Sequence, residues 1–276
     1  MNENIERTEM AGAPGSSPSQ TEIDCAYCRA AIYSALALGF QEPTDETLSR
    51  LMTLDSRASL AHAASLLYGD GAAEITAAIE ALPRWQRSNA EDLAARHRLL
   101  FGHTARGVIS PYETEYGNEA LFQQPQELGD LMGFYRAFGL TPGQGVHERP
   151  DHVSCECEFL MFLALKEAYG LEQDEGDMLS ETRKAERLFL RDHLGRFLPA
   201  FAASLDREDP AGFFGALAQL AGRFIAAECA RLDVTLGPGN LGLRPAEDNN
   251  VPMACGNAGD CAALAGACAS EQAEVE

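Results

Sequence analysis

Segments with helical character fill most of this chain, and no stretch of useful length alternates apolar and polar residues as a half-buried β-strand would. Breaks divide these segments: Pro43, for example, precedes Thr44, a residue type that caps helix starts. Alanine, leucine, glutamate and arginine are frequent, whereas valine, isoleucine and threonine are sparse. We therefore predict an all-α protein with a single compact domain of about ten helices.

The clearest predicted helix begins at Pro150 or Asp151 and reaches Tyr169, because proline and aspartate both favour a first helical turn. By contrast, residues 102–124 show no clear period, and long loops in compact domains are often functional. The remaining helices are predicted at about 24–40, from 45, at 57–68, 71–82, 88–101 and 125–139, twice within 174–204, and at 210–232.

The same pattern predicts three regions. Residues 1–22 are expected to form a flexible N-terminal arm, residues 23–236 the helical domain, and residues 237–276 a cysteine-containing C-terminal tail. Within that tail, Cys261 and Cys268 lie at helical spacing, which predicts a short helix that docks on the domain.

The chain is strongly acidic, with 42 acidic and 21 basic residues and a net charge of −21. Such a surface repels the phosphate backbone and favours a basic partner, so we predict no binding to nucleic acid. The first twenty residues lack the apolar segment of an export signal. The longest apolar run, Phe159–Leu165, is far shorter than the roughly 20 residues of a membrane helix. We therefore predict a cytoplasmic protein without stable membrane insertion.

Three segments carry a family resemblance. They read RHRLLFG at 96–102, PYETEY at 111–116 and ERPDHVSCECEFLM at 148–161. In this order, within a helical chain, they resemble the TorD/DmsD/NarJ family of redox-enzyme maturation chaperones over roughly residues 25–235. His97 stands at a position that the family usually fills with an aromatic residue.

The resemblance implies a TorD-like fold and a binding function. Such proteins bind the twin-arginine leader of an exported molybdopterin enzyme and hold the apo-enzyme until its cofactor is inserted. The implied partner is therefore the catalytic subunit of an oxidoreductase of the dimethyl sulfoxide reductase superfamily. Because the leader carries two arginines followed by an apolar stretch, its receptor needs carboxylates near an apolar groove. No phosphate loop, dinucleotide fingerprint or nucleophile elbow is present, and we predict neither catalysis nor a cofactor.

The resemblance places Asp151 and His152 at the leader-binding cleft, with Glu148 and Glu156 beside them. On the predicted helix, His152 and Glu156 lie four residues apart and share a face. The alternative is structural: Asp151 is then a helix-start residue, and His152 is a buried histidine with its hydrogen bonds satisfied.

Residues Tyr112, Glu113 and Tyr116 of the loop are further candidates for leader binding. Tyrosine combines an apolar ring with a polar tip, and a glutamate can pair with a leader arginine. The alternative is that the tyrosines only fix the loop to the core. Trp85, the only tryptophan, is a candidate apolar contact.

Two other functions are alternatives, and one of them rests on the eight cysteines. Asp151, His152 and Glu156 suggest a metal-dependent hydrolase, although further ligands are not identifiable. The pair Cys25-x-x-Cys28 suggests a metal or redox sensor, but a structural zinc site normally shows two such pairs. We predict no metal, and the resemblance allows a monomer or a homodimer exchanged at a hinge such as 139–149.

Overall fold

The computed structural model describes residues 19–52, 54–82, 90–102, 107–117, 124–141 and 148–244. These residues form ten α-helices and no β-strand, which confirms the predicted all-α class. All of them belong to one compact unit that ends at Arg244. The helices are α1 (Gln20–Phe40), α2 (Asp45–Met52), α3 (Leu54–Tyr68), α4 (Ala73–Ala81), α5 (Ala90–Phe101), α6 (Gln124–Ala137), α7 (Val153–Glu172), α8 (Gly176–Asp192), α9 (Leu194–Glu208) and α10 (Phe213–Arg231).

Helices α1 and α7 form the centre of the packing. They run antiparallel, as two contacts between them show. Near the start of α1 the Tyr27 hydroxyl donates to Glu172 at the end of α7 (2.9 Å), and just after α1 the Gln41 amide donates to Glu158 in the first half of α7 (2.9 Å). Helix α7 also packs on α8 and α9, and α10 packs on α9 and α4. The start of α7 is therefore held between several elements.

The start of α1 corrects one prediction. The sequence predicts a helix from about residue 24, with Asp24 as its cap, but α1 begins at Gln20. Ser19 accepts a hydrogen bond from the backbone of Glu22, whose side chain in turn accepts from the Ser19 backbone. This reciprocal capping box satisfies two backbone N–H groups and starts the helix before Asp24.

Among the described helices, only α1 is long and apolar enough to cross a membrane by those two criteria. Its environment is that of a core helix. More than half of its apolar window is buried, and it carries the buried Arg29, which forms an ion pair with Glu167 of α7. The Arg183 guanidinium donates to the same carboxylate at 2.7 Å.

Residues 237–244, which the sequence assigns to the tail, pack against the helical body. The backbone N–H of Gly117 donates to the carbonyl of Gly242 (2.9 Å), and that of Arg244 donates to Glu115 (2.8 Å). The Arg244 side chain is buried and forms an ion pair with Glu127 (2.7 Å). The predicted arm at 1–18 and the predicted tail helix at 261–268 lie outside the described residues.

Candidate functional site

Two of the three motif segments meet in a short backbone pairing. Tyr112 and His152 form an antiparallel bridge. The N–H of Glu113 donates to the Asp151 carbonyl (2.9 Å), and the N–H of Val153 donates to the Pro111 carbonyl (2.9 Å). The loop and the start of α7 thus form one rigid unit.

This pairing corrects the predicted start of α7. Pro150 and Asp151 lie in a turn, because the backbone of Asp151 pairs with the loop instead of continuing into a helix. His152 is the N-cap, and its Nδ1 accepts a hydrogen bond from the Ser154 N–H at 3.2 Å. Helix α7 therefore begins at Val153, and His152 stands just outside it, with its carbonyl accepting from the Glu156 N–H (3.1 Å).

The Asp151 carboxylate is buried and already bound by neighbouring groups. Arg149 donates to both of its oxygens, at 3.0 and 2.7 Å, and the Thr114 hydroxyl donates at 2.7 Å. The Arg149 guanidinium also lies over the Tyr112 ring, 4.3 Å from its centroid, in a cation–π contact. Asp151 therefore fixes the geometry of Arg149 and of the loop.

The Glu113 carboxylate is also buried, and it binds Arg196 of α9 and His193, the N-cap residue of that helix. Its Oε1 accepts from Arg196 at 2.9 Å, and its Oε2 lies 3.0 Å from Nδ1 of His193. Glu113 therefore ties the loop to α9 rather than presenting a carboxylate to solvent.

Glu156 is the carboxyl group whose environment is least favourable to charge. It is fully buried, and neither of its oxygens has a hydrogen-bond partner among the described residues. Burial raises the pKa of Glu156 well above its usual value, and the nearby carboxylates Glu113 and Asp151 raise it further. The surroundings of Glu156 therefore favour its protonated, neutral form.

His152 is buried and uncharged as well. Burial lowers its pKa to about 3, with smaller contributions from His97 and Arg149. Because Nδ1 accepts from the Ser154 N–H, the remaining ring proton belongs on Nε2. That nitrogen lies 3.9 Å from the Glu148 carboxylate, which is beyond hydrogen-bond distance.

The two tyrosines of the loop differ in exposure. Tyr116 is buried, and its hydroxyl donates to the Ser110 carbonyl (2.8 Å) while its ring packs on Phe197. Tyr112 is half-buried, and its hydroxyl donates to Glu148 at 3.3 Å. Burial and the Glu148 charge raise the pKa of Tyr112 to about 12, so it remains a hydrogen-bond donor at neutral pH.

An apolar cleft of about 320 Å³ opens beside this unit, between the end of α6 and the first half of α7. Two carboxylates, Glu148 and Glu158, stand among its otherwise mainly apolar side chains. No described lysine or arginine forms an ion pair with either, although Gln41 donates to Glu158 and Tyr112 to Glu148. The other lining residues are Tyr135, Leu140, Thr141, Pro150, Cys155, Phe159, Met161 and Phe162.

A larger cavity of about 910 Å³ adjoins the unit through Glu113. Its main charges are paired: Arg196 with Glu113 and Arg244 with Glu127. Phe134 contributes an apolar wall. This charged cavity differs from the apolar cleft, whose two carboxylates form no ion pair with a lysine or arginine in the described part of the chain.

Within the described ranges, no three His, Cys, Asp or Glu residues are grouped so as to hold a metal ion. Cys25 and Cys28 are free thiols, both half-buried in α1. Burial raises the pKa of Cys28, and it raises that of Cys155 in the cleft to about 12. Trp85, predicted as an apolar contact, lies outside the described residues.

Sequence reasoning missed part of this site. Cys155, Glu158, Phe159 and Phe162 line the cleft together, and their three- and four-residue spacing on α7 is a readable sign of one helix face. Arg196, by contrast, has no local signal, since it lies far along the chain from its partner Glu113.

Comparisons with known proteins agree with this architecture. The family model described as the nitrate reductase delta subunit matches residues 66–203, which include all three motif segments. The chaperone protein TorD of Vibrio cholerae is 31% identical over 210 residues, which cover 74% of this chain and 92% of that protein. A perchlorate reductase assembly chaperone of Dechloromonas aromatica is 32% identical over 219 residues, covering 74% and 90%.

A chlorate reductase assembly chaperone of Ideonella dechloratans is 37% identical over 123 residues, covering 42% of this chain and 58% of that protein. The fold and the motif unit define an all-helical protein of the redox-enzyme chaperone class. The chain belongs to the nitrate reductase delta subunit family, the TorD/NarJ type of maturation chaperone.

Proposed function

We propose that this protein is a cytoplasmic, non-catalytic chaperone that binds the twin-arginine leader and the apo-form of a molybdopterin oxidoreductase. In this role it supports cofactor insertion and prevents premature export. The names of its relatives, which include assembly chaperones of perchlorate and chlorate reductases, support a reductase partner.

The observation that carries the proposal is the apolar cleft with Glu148 and Glu158 among its lining residues. A guanidinium group pairs well with a carboxylate, and an apolar wall accepts the residues that follow the arginines. Neither glutamate forms an ion pair with a lysine or arginine of the described chain, so a ligand arginine displaces no internal cation. The net charge of −21 further favours the encounter with a basic leader.

In this proposal the predicted site residues act at two levels. Glu148 and Tyr112 contact the leader, because both are partly exposed beside the cleft. Asp151 and His152 act as positioning residues, because both are buried and fix the turn that carries Glu148. Glu113 and Tyr116 hold the loop behind it through their hydrogen bonds, and Glu156 is buried in the same unit.

The test is calorimetric titration with the leader peptide of a twin-arginine molybdoenzyme encoded beside the gene. We expect micromolar or tighter binding for the full chain. The double change Glu148→Gln and Glu158→Gln should weaken it by about tenfold or more, since hydrogen bonds to charged groups contribute about 1.5–3 kcal/mol each. The matched control changes Glu175→Gln and Glu181→Gln, which removes the same charge at exposed positions.

Equal weakening by the control would mean that only net charge matters, and the cleft would not be the site. The proposal fails if the wild-type chain binds neither the leader nor the full-length apo-enzyme. Circular dichroism of each variant verifies that the fold is intact before binding is compared.

A further inference from the structure

A strip of exposed apolar side chains runs along the outer face of α7 and begins at the cleft. Met161 and Phe162 line the cleft and are half-buried. Leu165 and Tyr169 follow at the spacing that places side chains on one helix face, and their exposed fractions are 42% and 50%. The wall of the cleft therefore continues toward the carboxyl end of α7.

Helix α1 widens this surface. Tyr27 is 43% exposed, and its hydroxyl contacts Glu172 at the far end of α7. Ala31 and Leu38 lie on the same face of α1 as Tyr27 by helical spacing, and both retain solvent exposure. We call these α1 residues and the four apolar residues of α7 the α7 strip.

Large apolar side chains exposed side by side are typical of interaction surfaces. Carboxylates stand at both ends of the strip: Glu158 where it joins the cleft, together with Glu148 of the cleft, and Glu172, which accepts from the Tyr27 hydroxyl, at the far end. The leader has its arginines first and an apolar stretch after them. With the arginines bound at Glu148 and Glu158 of the cleft, as proposed above, the apolar stretch that follows them extends along α7 toward Tyr169.

We propose that the α7 strip binds the apolar stretch of the leader as a short helix, with its arginines at the cleft and its later residues toward Tyr169. This inference rests on the proposed function and gives the leader a path and a direction. At 1.5 Å per residue, the distance along α7 from Glu158 to Tyr169 is about 17 Å, which matches roughly 11 helical residues of a ligand. Such a short helix is marginal alone and is stabilised when its apolar face is buried in a groove.

The first experiment compares Leu165→Glu with the control Leu66→Glu, an equally exposed leucine on α3. Each protein is titrated with two peptides: the full leader, and one whose apolar stretch is replaced by glycine and serine. We expect Leu165→Glu to weaken the full leader by about tenfold or more, because burial of one leucine contributes about 1.5–3 kcal/mol. The affinity of Leu165→Glu for the substituted peptide should stay within about twofold of the wild-type value. The affinities of Leu66→Glu for both peptides should do the same.

The second experiment tests direction with a photo-crosslinking amino acid placed at Met161 or at Tyr169 of the full chain. Crosslinks from Met161 should reach residues just after the leader arginines, and crosslinks from Tyr169 should reach the end of the apolar stretch. The reverse order, or crosslinks from Tyr169 to a second copy of the chain or to residues 245–276 in the presence of leader, overturns the inference.

The outcomes also separate this inference from the proposed function. If the wild-type chain binds neither the leader nor the full-length apo-enzyme, both fail. If the wild-type chain and Leu165→Glu bind the full leader equally, the cleft remains the site and only the path along α7 is wrong.

Discussion

The charged cavity and the apolar cleft use carboxylates in opposite ways. In the charged cavity, Glu113 pairs with Arg196 and Glu127 pairs with Arg244. Removal of one member of such a buried pair leaves the other charge without compensation, which costs several kcal/mol. These carboxylates therefore stabilise the fold.

In the apolar cleft, Glu148 and Glu158 have only uncharged hydrogen-bond donors in the described structure, Tyr112 and Gln41. Both glutamates remain partly or largely exposed, so water still solvates them. Their loss removes little from the folded state, and their charge remains available to a ligand. The comparison teaches that exposure and internal pairing, rather than residue type, separate binding carboxylates from structural ones.

The largest effect on stability is expected at Glu113, one of the structural carboxylates. The change Glu113→Ala leaves Arg196 and His193 without their shared partner, and it should lower the free energy of unfolding by about 3 kcal/mol. The change Glu148→Ala should lower it by less than about 0.5 kcal/mol, because that residue is partly exposed and has no cation partner in the described chain. Urea unfolding followed by circular dichroism measures both, and equal losses would contradict the distinction.

The next prediction concerns Glu156, whose pKa burial raises well above the usual value. The pKa of Glu156 in the folded state exceeds its unfolded value of about 4.3. Its contribution to the free energy of unfolding is therefore fully present below about pH 4.3 and is lost as the pH rises through the folded pKa. The slope of that loss approaches about 1.4 kcal/mol per pH unit. The stability of Glu156→Gln relative to wild type should therefore increase between pH 5 and pH 8.

Unfolding free energies at several pH values test this sign. The exposed change Glu181→Gln is the control, and its difference from wild type should be nearly independent of pH. A difference between Glu156→Gln and wild type that also stays flat would show that the buried carboxyl is ionised and paired.

The sequence predicted the helices well because their signals are local. The break after Phe40 and the start of α2 at Asp45 follow from Pro43 and from Thr44, whose hydroxyl accepts from the Thr47 backbone at 3.1 Å as a cap does. His97, which departs from the family pattern, still fills an aromatic position: its buried ring packs edge to face on Phe101 with centroids 4.7 Å apart.

The site was harder to predict because its geometry depends on contacts between distant segments. The motif pattern predicted Asp151, His152 and Glu148 as members of one candidate site, but spacing alone does not distinguish the buried members from the partly exposed one. The bridge between Tyr112 and His152, which moves the start of α7, has no local sequence signal. The contact role predicted for the buried residues therefore stays a prediction, and their burial favours a positioning role.

A smaller effect is expected at Arg149, which lies in the chain between the cleft residues Glu148 and Pro150 and binds Asp151. Arg149→Lys keeps the charge but loses the planar fork that binds both oxygens of Asp151 and covers the Tyr112 ring. We expect a loss of about 1 kcal/mol in the free energy of unfolding, measured by urea denaturation. Arg136→Lys, at an exposed position of α6, should cause almost no change.

The smallest effect is expected for Tyr112→Phe, which tests the hydrogen bond to Glu148 at the edge of the cleft. The change removes the hydroxyl that donates to Glu148 at 3.3 Å but keeps the ring under Arg149. Because Glu148 is partly exposed, water replaces the lost donor, and the free energy of unfolding should fall by less than about 0.5 kcal/mol. Calorimetry with the leader should show a change in affinity of less than about threefold. A destabilisation as large as that of Arg149→Lys would mean that the Tyr112 hydroxyl, and not its ring, holds the turn, so that Glu148 belongs with the structural carboxylates.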